Sequence, residues 1–293
     1  MANPTLTKKD RREAARLQAA ALRAKQEAAE KRNKMVMWAI LGVAIVALVG
    51  VAIFLALRGD GRDRAPETDS SIALADVANV PSTATDDGGI MVGPNGAATS
   101  TPVEGVPTLG VYLDYMCPIC GQFEEQNLDA INAMVEASEV NFVLHPVAIL
   151  DRMSRDTGFS TRSAAIAVWV ADRSPENFLA FHEQLFKEQP QENTYGLTNK
   201  EMADIALSVL VPQEVVDGIA DGTAVDTFAQ WVASSTAAAV SNDALVSEDQ
   251  PFGTPLVAID GQRSPVNWTT PGALKEAVNA AAIADASADG SGN

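Results

Sequence analysis

Cysteine and histidine are nearly missing from this chain, with two of each in 293 residues. So few thiols exclude a small scaffold stapled by several disulfides. Two cysteines also fall short of the four ligands of a closed zinc site unless His145 and His182 join them. No glycine-rich phosphate loop and no Ser/His/Asp set stands out, and Asp86-Asp87-Gly88 is a turn-like acidic pair rather than a calcium loop. The main body of the chain also lacks positive charge. The formal charge is −17, yet residues 1–34 hold ten Lys/Arg against four Asp/Glu, or +6, which leaves −23 for the remainder. An acidic body argues against nucleic acid as a partner and sets the basic end apart as a separate device. Charge of either sign is absent from residues 35–57.

That uncharged run reaches roughly 34 Å as a helix, against a hydrocarbon core of about 30 Å. It is too long for a cleaved signal peptide and predicts an uncleaved signal anchor, a single transmembrane helix over 35–57. Residues 1–34, rich in Ala, Arg, Lys, Glu and Gln, predict a basic helix that hugs headgroups or serves as a topology signal. The positive-inside rule puts 1–34 in the cytoplasm and 58–293 outside. Residues 58–85, rich in Asp, Ala, Ser, Thr and Pro, read as a flexible linker.

The two cysteines stand together in Tyr115-Met116-Cys117-Pro118-Ile119-Cys120. A strand-like run, Leu109 to Leu113, precedes them. A helical pattern follows, with Ile119, Phe123, Ile131, Met134 and Val135 on one face. A strand that turns into a helix at this point places the sulfur of Cys117 at a helix N-terminus. Unpaired amides and the positive end of the macrodipole favour a thiolate there, and the thiolate is the nucleophile of disulfide exchange. Pro118 suits the first helical turn, where its missing N–H is not needed. A structural staple and a metal ligand pair are the competing readings. The staple would close too small a loop to restrain the unfolded chain much, and the metal site lacks ligands.

Further along, Gly88 to Gly93 predicts an edge strand, and 95–107 a loop. Val140 to Pro146 predicts a strand parallel to the first, since strand–helix–strand of this length is a βαβ unit. Helices are expected over 161–172, 175–188, 199–209, 213–221 and 225–240. Strand character returns in Thr254 to Ile259, followed by the hairpin signal Asp260-Gly261. A helix over 271–283 and a disordered tail over 284–293 end the chain.

The segment Asp114 to Cys120 with Phe123, the segment Phe252-Gly253-Thr254-Pro255 through Gly261, and Phe178 to Phe186 between them resemble the DsbA family of thiol–disulfide oxidoreductases. The likeness extends to its membrane-anchored actinobacterial type and covers roughly 86–283. It implies an α/β thioredoxin fold with a helical insertion at about 152–248. It implies a cis Pro255 facing the sulfurs, with Cys117 attacking, Cys120 resolving, and Pro118, Ile119 and Thr254 in contact with substrate. It implies no cofactor, exported reduced proteins as substrates, and a membrane quinone-linked thiol oxidase as redox partner. Two positions depart from relatives: Ile119 stands where strongly oxidising members carry histidine, and Val111 where many hold a buried acid. Asp114 reads as a turn residue or helix-entry partner, His145 as a packing or capping residue, His182 as an interfacial residue on an apolar helical face, and Glu124 and Glu125 as acids suited to the first half of a helix. Trp169, Trp231 and Trp268 read equally well as core or as groove residues. The resulting expectation is an extracytoplasmic dithiol oxidase. A reductase or isomerase kept reduced by a transmembrane donor, a redox-inactive tethered binding module and metal capture by a dimer are the alternatives.

Overall fold

The computed structural model describes residues 63–290, together with five isolated positions before them (25, 31, 37, 38 and 42). The predicted basic helix and membrane anchor lie outside the described residues. Among the described residues, no helix is long and apolar enough to cross a membrane.

A six-stranded mixed sheet carries the site. Its strands are β1 (Ile90–Val92), β2 (Ala98–Thr99), β3 (Thr108–Leu113), β4 (Asn141–Pro146), β5 (Leu256–Ile259) and β6 (Gln262–Arg263), in the order β2-β1-β4-β3-β5-β6. The expected βαβ unit is present: β3 and β4 run parallel, with Val111 opposite Leu144, and helix α1 (Pro118–Glu136) joins them. The other pairings are antiparallel, including β3 with β5, where Val111 faces Val257. Side chains alternate as strand geometry requires. Leu109, Val111, Leu113, Phe142, Leu144 and Val257 enter the main core, whereas Tyr112, Leu256 and Ala258 enter a smaller cluster with Val147, Ala239 and Leu245. Asp260 and Gly261 both take positive φ in the tight β5–β6 turn, as such hairpins demand.

Between β4 and β5 lie five helices: α2 (Phe159–Arg173), α3 (Phe178–Lys187), α4 (Asn199–Ser208), α5 (Gln213–Ala220) and α6 (Thr223–Val240). Each lies within three residues of its sequence-predicted bounds. Alanines 164, 165, 167 and 171 of α2 are fully buried, and such small side chains let α2 and α6 pack closely. Helix α7 (Ala273–Gly290) lies beside α1.

Four expectations need correction. The stretch expected as a loop contains the edge strand β2, too short at two residues to show alternation. The tail expected to be disordered is helical to Gly290, because alanine favours helix even where nothing apolar marks a buried face. Ile119, placed on the buried face of α1, is 45 % exposed, whereas Leu128 is buried. From Asp63 onward the expected flexible linker is pinned to the insertion. The Asp63 carboxylate accepts from Arg162 Nη1 at 3.2 Å and from the Asn199 N–H at 2.5 Å. Asp69 exchanges two hydrogen bonds with the Gln230 amide, and both the N–H and hydroxyl of Ser82 donate to Asp172 at 2.7 Å. Composition shows polar residues but not that their hydrogen bonds are made to the protein rather than to water.

Candidate active site

Helix α1 begins at Cys117, whose extended backbone makes it the N-cap, with Pro118 as the first helical residue. The Cys117 thiol donates to the Thr254 carbonyl at 3.3 Å. The Thr254–Pro255 peptide is cis. Both cysteines are free thiols; Cys117 is at the surface edge with 6 % exposure, and Cys120 has none.

Three residues apart, the two thiols are driven in opposite directions. Cys117 is pulled down to about 6, chiefly by a hydrogen bond from the Cys120 thiol, then by the Thr254 side chain and the N–H groups of Cys120 and Ile119, which outweigh its partial burial. The two N–H groups are the donors that a helix N-terminus offers an anion. Cys120 is pushed well above the ordinary thiol range, first by burial and then by Cys117 itself. Pro118 and Ile119 are exposed between them.

The turn before the helix is held from three sides. Asp114 is fully buried. Its carboxylate accepts from the Met116 N–H at 2.8 Å and from the N–H groups of Ile149 and Leu150, each at 2.9 Å. Burial raises it to about 7 against those hydrogen bonds. Asp114 is therefore a turn residue as expected, but also a buried cross-link to the segment after β4. On the second side, Gln189, just beyond α3, donates its amide to the carbonyls of Tyr115 at 3.0 Å and Cys117 at 2.9 Å. Gly121 makes room for it, since a Cβ there would come within 2.8 Å of Gln189 Oε1. On the third side, the Tyr115 hydroxyl meets His182 Nδ1 at 2.9 Å, and His182 Nε2 lies 3.1 Å from Glu124 Oε2. His182 is enclosed by Phe178, Phe186 and Tyr115.

Gln189 and the His182–Glu124 contact were not legible as site features in the sequence. The one signal was Gly121 inside a helix, a position disfavoured by about 1 kcal/mol relative to Ala without a packing reason. The remaining residues fall elsewhere. His145 stacks on Tyr112 at 4.0 Å in the smaller cluster, and burial pushes it down to about 4. Trp231 is core, and Trp169 donates to the Val215 carbonyl at the α5 contact. Trp268 lines a cleft of about 360 Å³ beside Pro255 and packs edge-on against Phe123. Val111 is a fully buried strand residue. Among the described residues, no group of three His, Cys, Asp or Glu could hold a metal ion.

A thiol pulled down at a helix start, a buried second thiol and a cis proline beside them agree with the comparison to known proteins. Residues 104–280, more than half of the chain, match the thioredoxin family model. The chain belongs to the thioredoxin family. Within it, this thioredoxin-family chain is DsbA-like. It is similar to MdbA, a thiol–disulfide oxidoreductase from Actinomyces oris, at 26 % identity and TM-score 0.55, over 71 % of this chain and 95 % of that one. It is similar to reduced DsbA from Mycobacterium tuberculosis at 27 % identity and TM-score 0.51, over 65 % and 90 %. Among curated proteins, 143 residues are 28 % identical to the serine/threonine-protein kinase PknE of Mycobacterium tuberculosis, covering 47 % of this chain. The chain spans only 24 % of the length of that relative.

Proposed function

We propose that this protein is an extracytoplasmic thiol–disulfide oxidoreductase that introduces disulfides into exported proteins through Cys117 and Cys120. The observation that carries this reading is the split between the two thiols: Cys117 pulled down to about 6 at the helix start, Cys120 buried and pushed up. In the oxidised enzyme a substrate thiolate attacks the sulfur of Cys117. The Cys117–Cys120 bond breaks, and Cys120 leaves with the electron pair and takes a proton. A second substrate thiolate then attacks the substrate sulfur of the mixed disulfide. Cys117 leaves as a thiolate, so the substrate gains a disulfide and the enzyme holds two electrons. A leaving thiol that ionises easily speeds that step and makes the enzyme more oxidising. Thr254 offers backbone to an extended substrate next to the sulfur, with Pro118, Ile119 and Pro255 as further contacts.

In this reading residues 35–57 anchor the chain, 1–34 lie in the cytoplasm, and 86–283 form the catalytic domain. The relatives MdbA and DsbA support the chemistry. The uncharged run and its basic flank support the location. Re-oxidation falls to a membrane quinone-linked thiol oxidase. A second reading, a reductase or isomerase kept reduced across the membrane, draws on Ile119, whose exposed aliphatic side chain gives a thiolate no donor. The test is refolding of reduced ribonuclease by the oxidised full-length protein, alongside alkylation trapping of the thiols in growing cells. Oxidative refolding with a mostly disulfide-bonded enzyme in cells is expected. Mostly reduced thiols in cells would overturn the oxidase assignment in favour of the second reading.

A further inference from the structure

The cleft of about 360 Å³ beside Pro255 is lined by Gln250, Arg263, Ser264 and Trp268. Its place ties it to the thiol. Thr254, the residue before Pro255, takes the Cys117 thiol on its carbonyl, and Trp268 packs edge-on against Phe123, one turn beyond the first cysteines of α1. Among the described residues, Arg263 is the one charged group on the cleft wall.

Arg263 is set apart from the other cations of the chain. Residues 58–293 carry eleven Lys/Arg against 34 Asp/Glu, yet Arg263 forms no ion pair among the described residues. Arg162, the other described Arg or Lys that is not exposed, pairs with Asp63 at 3.2 Å. Arg263 Nη1 instead donates to the carbonyls of Leu245, Gln250 and Pro251, each at 3.1 Å. Nε and Nη2 meet no protein acceptor and stay open to solvent. The carbonyls hold the guanidinium in place without neutralising it, so a ligand meets a full charge on a side chain already ordered. A carboxylate suits it best, because two oxygens match the two parallel N–H groups along one edge of the planar fork.

We propose that this cleft binds the carboxylate of an aspartate or glutamate that the substrate polypeptide carries close to its reacting cysteine, with Arg263 as the residue that selects it. The inference rests on the thiol-exchange reading above and adds a substrate class to it. A chain whose cysteine meets Cys117 beside Thr254 has the cleft next to it, and its neighbouring residues advance about 3.3 Å each when extended.

The test uses the oxidised full-length protein and short peptides with blocked ends and one cysteine. One glutamate is moved through the positions within about four residues of the cysteine on either side, and each peptide has a glutamine twin. The ratio of mixed-disulfide rates, glutamate over glutamine, is measured with the parent protein and with Arg263→Gln. The acid's own effect on the peptide thiol is common to both proteins and cancels between the two ratios. A general slowing of the variant, from loosening the segment that Nη1 holds, cancels as well. At one position or more, the parent ratio is expected to exceed the variant ratio by about threefold or more at low salt, with the excess shrinking as salt is raised. Equal ratios at every position would overturn the proposal. Serine versions of the peptides, titrated calorimetrically, separate the cleft from the chemistry. Should no cysteine peptide react, the thiol-exchange reading fails; tighter binding of a glutamate–serine peptide than of its glutamine twin, lost in Arg263→Gln, would still uphold the cleft, and equal binding would refute it.

Discussion

The frame made of β3, α1, β4 and β5 and the insertion made of α2–α6 act on one sulfur by different routes. In the frame, the groups that shift Cys117 sit within its own turn, at Ile119 and Cys120, or one strand away at Thr254. The insertion reaches that turn through Gln189, which holds two carbonyls, and through His182, which meets Tyr115. It is otherwise built on its own apolar helix contacts and on buried Arg162. The frame thus makes the thiol acidic, and the insertion keeps the turn in place. Variants in the two regions should therefore separate chemistry from stability.

The largest effect falls in the frame. Cys117→Ser is expected to reduce disulfide transfer to background while leaving the urea midpoint of the reduced protein nearly unchanged at about pH 5, where the Cys117 thiol is protonated in folded and unfolded chain alike. A stability loss comparable to the activity loss would mean that the frame is not simply the seat of chemistry. The converse experiment is Arg162→Met in the insertion. The Arg162 guanidinium donates to the Thr157 and Leu197 carbonyls, to Asn199 and to Asp63 while only 1 % exposed. Its loss strands those acceptors and is expected to cost about 3–5 kcal/mol in urea unfolding. The pH at which Cys117 ionises should not move; if it does, the two regions are coupled more tightly than their contacts indicate.

Gln189→Leu tests the link between the regions. Losing two hydrogen bonds is expected to destabilise by about 1–2 kcal/mol and, unlike Arg162→Met, to raise the Cys117 ionisation midpoint as the turn loosens. Gln189→Glu should fail to rescue it, since a carboxylate repels both carbonyls.

These expectations also mark what could be read from residues alone. The frame was legible because its signals are local. The apolar run Leu109 to Leu113, the Cys-x-x-Cys, the Asp260-Gly261 turn and the proline- and glycine-bounded helices each lie within a short window. Gln189 is 72 residues from the carbonyl of Cys117 that it binds, and no periodicity links them. Asp114 looked like a turn residue because a turn is what surrounds it in sequence. Its burial depends on Ile149 and Leu150 arriving from beyond β4. Asp63 and Ser82 looked like linker because their partners, Arg162 and Asp172, lie far along the chain.

A further effect concerns pH and stability of the reduced protein. Cys117 ionises near 6 when folded against 9.0 for a free thiol. Between those values the unfolded chain binds the extra proton, so reduced-state stability should rise with pH across that window and fall as pH drops through about 6. The oxidised protein, without the thiol, should lack this rise, which urea midpoints of both forms at several pH values will show.

The most direct test of the central claim is the pH dependence of Cys117 alkylation in the reduced full-length protein, followed by mass spectrometry with Cys120 as internal reference. A midpoint near 6 for Cys117, with Cys120 unreactive well past the ordinary thiol range, is the expected result. A Cys117 midpoint of about 8–9, no lower than that of a free cysteine, would contradict it.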